Sequence, residues 1–259
     1  MPGRSAVTVW RWSALWALLF LAGVVPILHY NHAWFLWLNG LHGRPGDAFF
    51  GVITGLGDGL VVALLCSCVM MWRFRAGAAG MLAFIVSGLL DQLLKRLFDM
   101  PRPAAVFEHV HVLGDRLYSH SFPSGHATSD GVMVLLSLLL WGNRDWRGWF
   151  VAALFMLAAY GRIYVGAHFP LDVWVGLWLG MVTMWLCWRW VQARPQRPWE
   201  HSLWVFRVAG LILLIEAAVL GLGYAIQPST AAILCLLLPL GALAWLMYRW
   251  RGIGNQSLF

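Results

Sequence analysis

Lysine occurs once in this sequence, at position 95, although the chain carries 18 basic residues, and charged residues of every kind make up only 11% of its 259 positions. A water-soluble surface needs far more charge, so the scarcity excludes an ordinary soluble domain. Cysteine is scarce as well. Cys66, Cys68, Cys187 and Cys235 lie inside apolar runs, without disulfide or metal-ligand spacing, and read as small hydrophobes with no assigned chemistry. Runs of basic residues are also lacking. The net charge of +7 comes from arginines spread among inter-helix segments, which points to membrane topology where a soluble protein of this charge would suggest nucleic acid.

What the chain has in excess is apolar surface: 61% hydrophobic residues and a mean hydropathy of +0.70. Its 18 tryptophans gather near the ends of apolar runs (Trp10 and Trp12, Trp34 and Trp37, Trp141, Trp146 and Trp149, Trp185, Trp188 and Trp190), where rings sit at headgroup level. At about 20 apolar residues per crossing, eight spans are expected, at roughly 10–29, 59–73, 76–99, 126–142, 147–163, 169–190, 204–223 and 229–248. The run from Trp12 to Leu28 is long for a signal peptide and has no A-x-A cleavage pattern, so it is expected to be a retained first span. The fold class is therefore all-α, a polytopic transmembrane bundle. Residues 1–192 are expected to form a six-helix core, and residues 193–259 a linker with two extra helices. Tyr30 to Asp58, of mixed composition, fits an interfacial helix followed by a turn, or a loop packed over the bundle.

Arginines alternate along this pattern. Arg4 and Arg11, Arg73 and Arg75, Arg144 and Arg147, Arg189, Arg194 and Arg197, and Arg249 and Arg251 mark one side, cytoplasmic by the positive-inside rule, with both termini on it. Two segments break the rule, from Lys95 to His126 and from Arg162 to His168. Cations placed against topology need another purpose.

Three clusters supply one. Lys95 stands near Arg102, whose flanking prolines Pro101 and Pro103 stiffen its backbone. In a chain that otherwise uses arginine, the one lysine suggests that a compact ammonium is wanted here; the alternative is a lysine snorkelling from a helix end. Ser121-Phe122-Pro123-Ser124-Gly125-His126 precedes an apolar run: Ser124 caps, Gly125 lets backbone approach a bound group, and helix-end N–H groups favour an anion, with His126 placed to carry a proton. In the third, Arg162 precedes His168 and Asp172, which share one helical face, so the carboxylate can hold one imidazole nitrogen and leave the other free to attack. Two histidines, an orienting carboxylate and three cations suit nucleophilic displacement at phosphorus.

Lys95, six residues, Arg102-Pro103; then Pro123-Ser124-Gly125-His126; then Arg162, five residues, His168, three residues, Asp172: this order resembles the type 2 phosphatidic acid phosphatase superfamily, which includes lipid phosphate phosphatases and vanadium haloperoxidases. The resemblance covers about residues 60–190 and leaves the last two helices without a motif. It implies that His168 attacks phosphate to form a phosphohistidine, that Asp172 orients it, and that His126 protonates the leaving group and then activates water. Lys95, Arg102, Arg162, Ser124 and the N–H of Gly125 would bind phosphate oxygens. No metal or cofactor is implied. One departure is Gly161, where family members often have serine.

The remaining polar residues carry weaker expectations. Asp91 and Asp130, four residues from Lys95 and His126, read as structural partners, and Glu216 as paired or protonated within the bundle. His109, His111 and His120 are expected to be solvated loop histidines. The leading reading is a metal-independent membrane phosphatase of lipid phosphates or diphosphates, such as undecaprenyl diphosphate, phosphatidylglycerol phosphate, phosphatidic acid or lipid A phosphate. Its site would face the periplasm or exterior of a bacterial inner membrane, among membrane lipids and with no nucleic-acid partner. A phosphotransferase shares the motifs. A proton-coupled transporter is the alternative from another class, with internal repetition and helices broken at midplane as its signature, whereas the ionisable residues here gather at helix ends on one face and favour an interfacial active site.

Overall fold

The computed structural model describes residues 3–142, 144–224, 226 and 228–254, with the side chains of all but 3–15, 201 and 251–254. The anchoring expected of Trp10 and Trp12 and the charges of Arg4, Arg11 and Arg251 lie outside the described side chains. The described chain is all-helical. The first helix, α1 (Gly3–Asn39), passes Pro26 and kinks at Tyr30, where φ is −112° and ψ 16°. It therefore continues through the first part of the segment expected to start an interfacial helix at Tyr30. A turn then leads to α2 (Arg44–Ile53), started by Pro45 and by Asp47 in its first turn. A 3-10 turn over Thr54–Gly57 leads into α3 (Gly59–Trp72), whose first turn is capped by the Asp58 carboxylate accepting from the Leu60 N–H at 2.9 Å.

The next helix, α4 (Phe74–Phe98), stops at Asp99, a left-handed residue ahead of Pro101. A one-turn helix, α5 (Pro103–Val106), opens a long loop. Beyond it come α6 (Gly125–Trp141), α7 (Trp146–Tyr164) and α8 (Pro170–Gln192), then α9 (Leu203–Gly221) and α10 (Ala232–Gly254). Side-chain caps begin three of these: Ser202 accepts from Val205 N–H at 3.3 Å in α9, Asp145 from Arg147 N–H at 2.9 Å in α7, and Ser124 from Ala127 N–H at 3.5 Å in α6.

At the centre stands α6, with every residue from 127 to 137 buried. It meets α8 backbone to backbone: a Cβ on Gly180 would lie 2.0 Å from the Thr128 carbonyl oxygen, and one on Gly131 would lie 2.2 Å from that of Leu177. Gly176 and Gly180 form the small-xxx-small spacing that permits such approach. Inside a membrane this matters, because lipid offers no hydrophobic drive and helices associate by close packing. Around the pair, Val62, Cys66, Ala79, Leu136, Phe155 and Met184 join α3, α4, α7 and α8 into one core. A second core lies on the far side of α3, where Val61 and Leu64 meet Leu213 and Leu220 of α9 and Leu234 and Ala242 of α10.

Five stretches are long and apolar enough to cross a membrane, or six if the pair 44–57 and 59–72, bent by 60°, counts as one. The protein is an integral membrane protein, and a helix stands at each of the eight expected spans, although α6 and α7 fall short of the length and apolarity of a lone crossing. Two of the weaker spans have a physical explanation. α6 has only 17 residues and opens with the polar run His126 to Asp130, which is compatible with a place inside the bundle and not against lipid. α3 is 14 residues long and needs α2 to complete a crossing.

Candidate active site

The C-terminal ends of α4 and α7 and the N-terminal ends of α6 and α8 meet at one end of the bundle, bringing together the residues singled out in the sequence. α6 begins where Ser124, fully buried, is fixed from two sides: its N–H donates to the Asp172 carbonyl at 3.0 Å, and its hydroxyl accepts from the Ala127 N–H at 3.5 Å. The hydroxyl expected to contact phosphate thus already serves as a helix cap. Gly125 is the first helical residue, so its N–H has no intrahelical acceptor. A Cβ here would come within 3.1 Å of Lys95 Nζ and 3.2 Å of Asp91 Oδ2 and would press on the pair.

Lys95, in the last turn of α4, donates to Asp91 Oδ2 at 2.6 Å. The ammonium is thereby held over the start of α6 on a buried carboxylate. Arg102 is held by carbonyls: its Nε donates to Ser119 at 2.9 Å, its Nη1 to Ala167 at 3.2 Å, and its Nη2 to His120 at 3.4 Å. His120 and Asp99, the two non-glycine residues with positive φ among those described, flank this loop and lie 3.5 Å apart.

Nη1 of Arg102 also lies 3.3 Å from His168 Nε2. A guanidinium only donates, so Nε2 accepts and the ring proton sits on Nδ1. Nδ1 in turn faces Asp172 Oδ2 and the Ser121 hydroxyl, each at 3.5 Å. Oδ2 is itself fixed by the Ser121 hydroxyl at 2.5 Å and the Phe169 N–H at 2.9 Å. The result is an imidazole locked by its far nitrogen, with the lone pair of Nε2 directed to the arginine side. Burial, then the charges of Arg102, Arg162 and Lys95, hold the pKa of His168 well below the usual imidazole value, which keeps it neutral and nucleophilic at neutral pH.

His126 lies in the field of Arg162, His168, Lys95 and Arg102, and its Nε2 is shielded without a hydrogen-bond partner. Arg162, only 8% exposed, reaches the Thr54 hydroxyl through Nη1 at 3.5 Å, while its Nε has no partner. Asp58 and Asp130 are the acids whose charge it feels. Three cations, two imidazoles and an open helix end therefore surround one point. That arrangement can bind a phosphoryl group, attack it from Nε2 and pass a proton to its leaving oxygen. Beside it a cleft of about 390 Å³ runs along α4, with Asp91 and His126 at its inner end and Ile85, Gly88 and Leu89 outward.

Ser121 was quoted in the sequence motif but not assigned a role; its hydroxyl beside Asp172 is visible only once α8 is folded against it. Thr54, 108 positions before Arg162, left no signal at all. Asp91 pairs with Lys95 as its helical spacing implied. His109 and His120 are exposed as expected, whereas His111 is not a free loop histidine: its Nε2 lies 2.9 Å from Asp47 Oδ1 and its ring stacks on His42 at 4.2 Å. Glu216 sits beside Ser67 between α9 and α3.

The description "PAP2 superfamily" belongs to the family profile that matches residues 76–196. A lipid A 4'-phosphatase of Porphyromonas gingivalis is 27% identical over 170 residues, 61% of this chain and 71% of that protein. The undecaprenyl-diphosphatase BcrC of Bacillus subtilis is 30% identical over 155 residues, covering 55% of this chain and 75% of the relative. The crystal structure of Aquifex aeolicus LpxE superposes with a TM-score of 0.57 at 30% identity, over 61% of this chain and 94% of that one. The profile-matched stretch runs through α4 and α6 to α8, whose ends converge on His168, and on this agreement of sequence and fold the chain belongs to the PAP2 superfamily.

Proposed function

We propose that this protein is a metal-independent phosphatase of a lipid phosphate or diphosphate, working through a phosphohistidine on His168. The observation that carries the reading is the His168 imidazole, held at Nδ1 by Asp172 and presenting Nε2 to Arg102 at 3.3 Å. Phosphate oxygens would take over the donors of Lys95, Arg102 and Arg162 and the N–H of Gly125. His126 takes up a proton as the bound phosphate's negative charge offsets the surrounding cations; Nε2 of His168 then attacks phosphorus, the bond to the leaving oxygen breaks, and the His126 imidazolium supplies that oxygen's proton. His126, now neutral, takes a proton from water, whose oxygen displaces Nε2 and releases inorganic phosphate. The apolar cleft along α4 has a place for the lipid chain beside the reacting group.

The relatives named for lipid A and undecaprenyl diphosphate make those lipids the first substrates to test, with phosphatidylglycerol phosphate and phosphatidic acid beside them. We assign the site to the extracytoplasmic face of a bacterial inner membrane, because the arginine-rich ends of the helices lie opposite it and mark the cytoplasmic side with both termini. Residues 1–192 would carry the reaction and residues 193–259 an accessory pair of helices. Purified protein is expected to release phosphate from one of these lipids in EDTA, and His168→Ala to lose at least about 10³-fold in kcat. Full activity in that variant would overturn the mechanism, and loss of activity in EDTA would overturn metal independence. A phosphotransferase would retain the phosphohistidine but yield phosphorylated lipid acceptor in place of inorganic phosphate.

A further inference from the structure

A second and larger cavity, of about 950 Å³, opens at the other end of the bundle. It lies among the junction of α3 and α4, the end of α8, the linker beyond it, the start of α9 and the end of α10. No motif of the sequence reaches it. Its floor is apolar, with Met70, Leu139, Trp188, Val205 and Phe206, and its rim is cationic, with Arg73, Arg75 and Arg249. Glu200 is the one acid among the described lining residues.

These charges do not cancel. Glu200 is committed to Arg75, 3.3 Å away, and the other end of that guanidinium is taken by the carbonyls of Val191 and Arg194. Arg73 spends Nη1 on the Leu140 carbonyl at 2.8 Å and lies 4.8 Å from the Trp72 ring centroid. Arg249 spends Nε on the Met71 carbonyl at 3.1 Å and lies 5.9 Å from that of Trp245. Each is held in place by one N–H and an indole face, with its remaining donors uncommitted to any carboxylate among the described residues. Two fixed guanidinium groups at the rim of an apolar cavity, at the membrane end of the helices, match a phosphate diester that carries hydrocarbon chains.

We propose that this cavity binds an anionic phospholipid from the leaflet opposite the active site, its phosphate on Arg73 and Arg249 and its chains along Phe206 and α9. The lipid is a fixed component and not a substrate, since His168 stands at the far end of α6 and α8. It fills the space between the core helices and the α9–α10 pair, whose own apolar contact with the core runs chiefly through α3. The inference needs only the membrane placement of the helices and is independent of the reaction proposed above.

Native mass spectrometry of the full chain, purified from mixed micelles holding equal phosphatidylglycerol and phosphatidylcholine, tests it. The wild type is expected to retain phosphatidylglycerol about ten-fold over phosphatidylcholine, and the double variant Arg73→Gln/Arg249→Gln to lose that preference. Arg249 also anchors α10 to the Met71 carbonyl, so a second variant leaves both arginines in place: Gln192→Glu, which adds a carboxylate to the cavity wall, must lower the preference at an unchanged melting temperature. Arg147→Gln, on an exposed pair with Asp145, must keep it. Equal retention of the two lipids by the wild type, or an undiminished preference in both cavity variants, would overturn the proposal. So would loss of the preference in Lys95→Gln, which would move the lipid to the active end, or displacement by excess inorganic phosphate, which would make this a site for the free anion.

Discussion

Two of the histidines that have an aspartate four residues later, His126 with Asp130 and His168 with Asp172, stand at the starts of the closely packed helices α6 and α8. They are built differently. His168 lies before α8, whose N-cap is Phe169, so its ring folds back over the first turn and meets the carboxylate of Asp172. Asp172 there has three partners: the Ser121 hydroxyl, the Phe169 N–H and the imidazole itself. His126 and Asp130 both lie inside α6. Asp130 is fully buried, with neither oxygen hydrogen-bonded and both within 2.7 Å of a Cβ built on Gly57. Its nearest charge influence is Arg162. Identical spacing thus makes an orienting pair in one place and a buried carboxyl without a hydrogen bond in the other, because the position of the helix start decides where the imidazole can point.

The contrast is broken most sharply by removing each carboxylate in turn. Asp172→Asn is expected to cost at least about 10²-fold in kcat, since the amide disturbs the Nδ1–H tautomer that frees Nε2. Loss of activity no larger than that of Asp130→Asn would mean that the two pairs are equivalent. Next in size is the pH profile. His168 attacks only as the free base, and its lowered pKa keeps that form present as pH falls, so the acidic limb of kcat/KM is expected below about 6.5, the ordinary imidazole value. A limb at or above that value would contradict the buried, cation-flanked imidazole.

Ser121→Ala probes the support behind Asp172. One of its three partners is lost while the Phe169 N–H remains, and a decrease of about 10-fold in kcat with unchanged KM is expected, in line with one hydrogen bond to a charged group. Rescue by Ser121→Thr would identify the hydroxyl as the cause, and an Ala variant of full activity would remove Ser121 from the site. The smallest effect belongs to Asp130→Asn. With no hydrogen bond to lose, it is expected to change kcat by less than about three-fold and to leave the melting temperature equal or higher.

Most of the candidate site was legible before folding, because each of its three clusters is local. Lys95 and Arg102, Ser124 to His126, and Arg162 to Asp172 each fall within a dozen residues, and their charges stand against the membrane topology. What surrounds each helix was less legible. Hydropathy does not distinguish a helix facing lipid from one buried in protein, so it gave no sign that α6 is enclosed by the bundle. The segment after Tyr30 was legible in outline, a helical stretch beyond a break at Tyr30 and then a turn, but its composition did not show that the break is a kink continuous with the first span.

By itself, the sequence determined that this is a helical membrane protein with histidines, a carboxylate and three cations at helix ends, since composition and short-range spacing are properties of the chain alone. Only the tertiary structure decided which imidazole nitrogen is free, that Ser121 stands behind Asp172, and that Thr54 meets Arg162. Those contacts join residues 47 to 108 positions apart, and close packing of α6 on α8 and of the Thr54 turn on α7 is what brings them within hydrogen-bond reach.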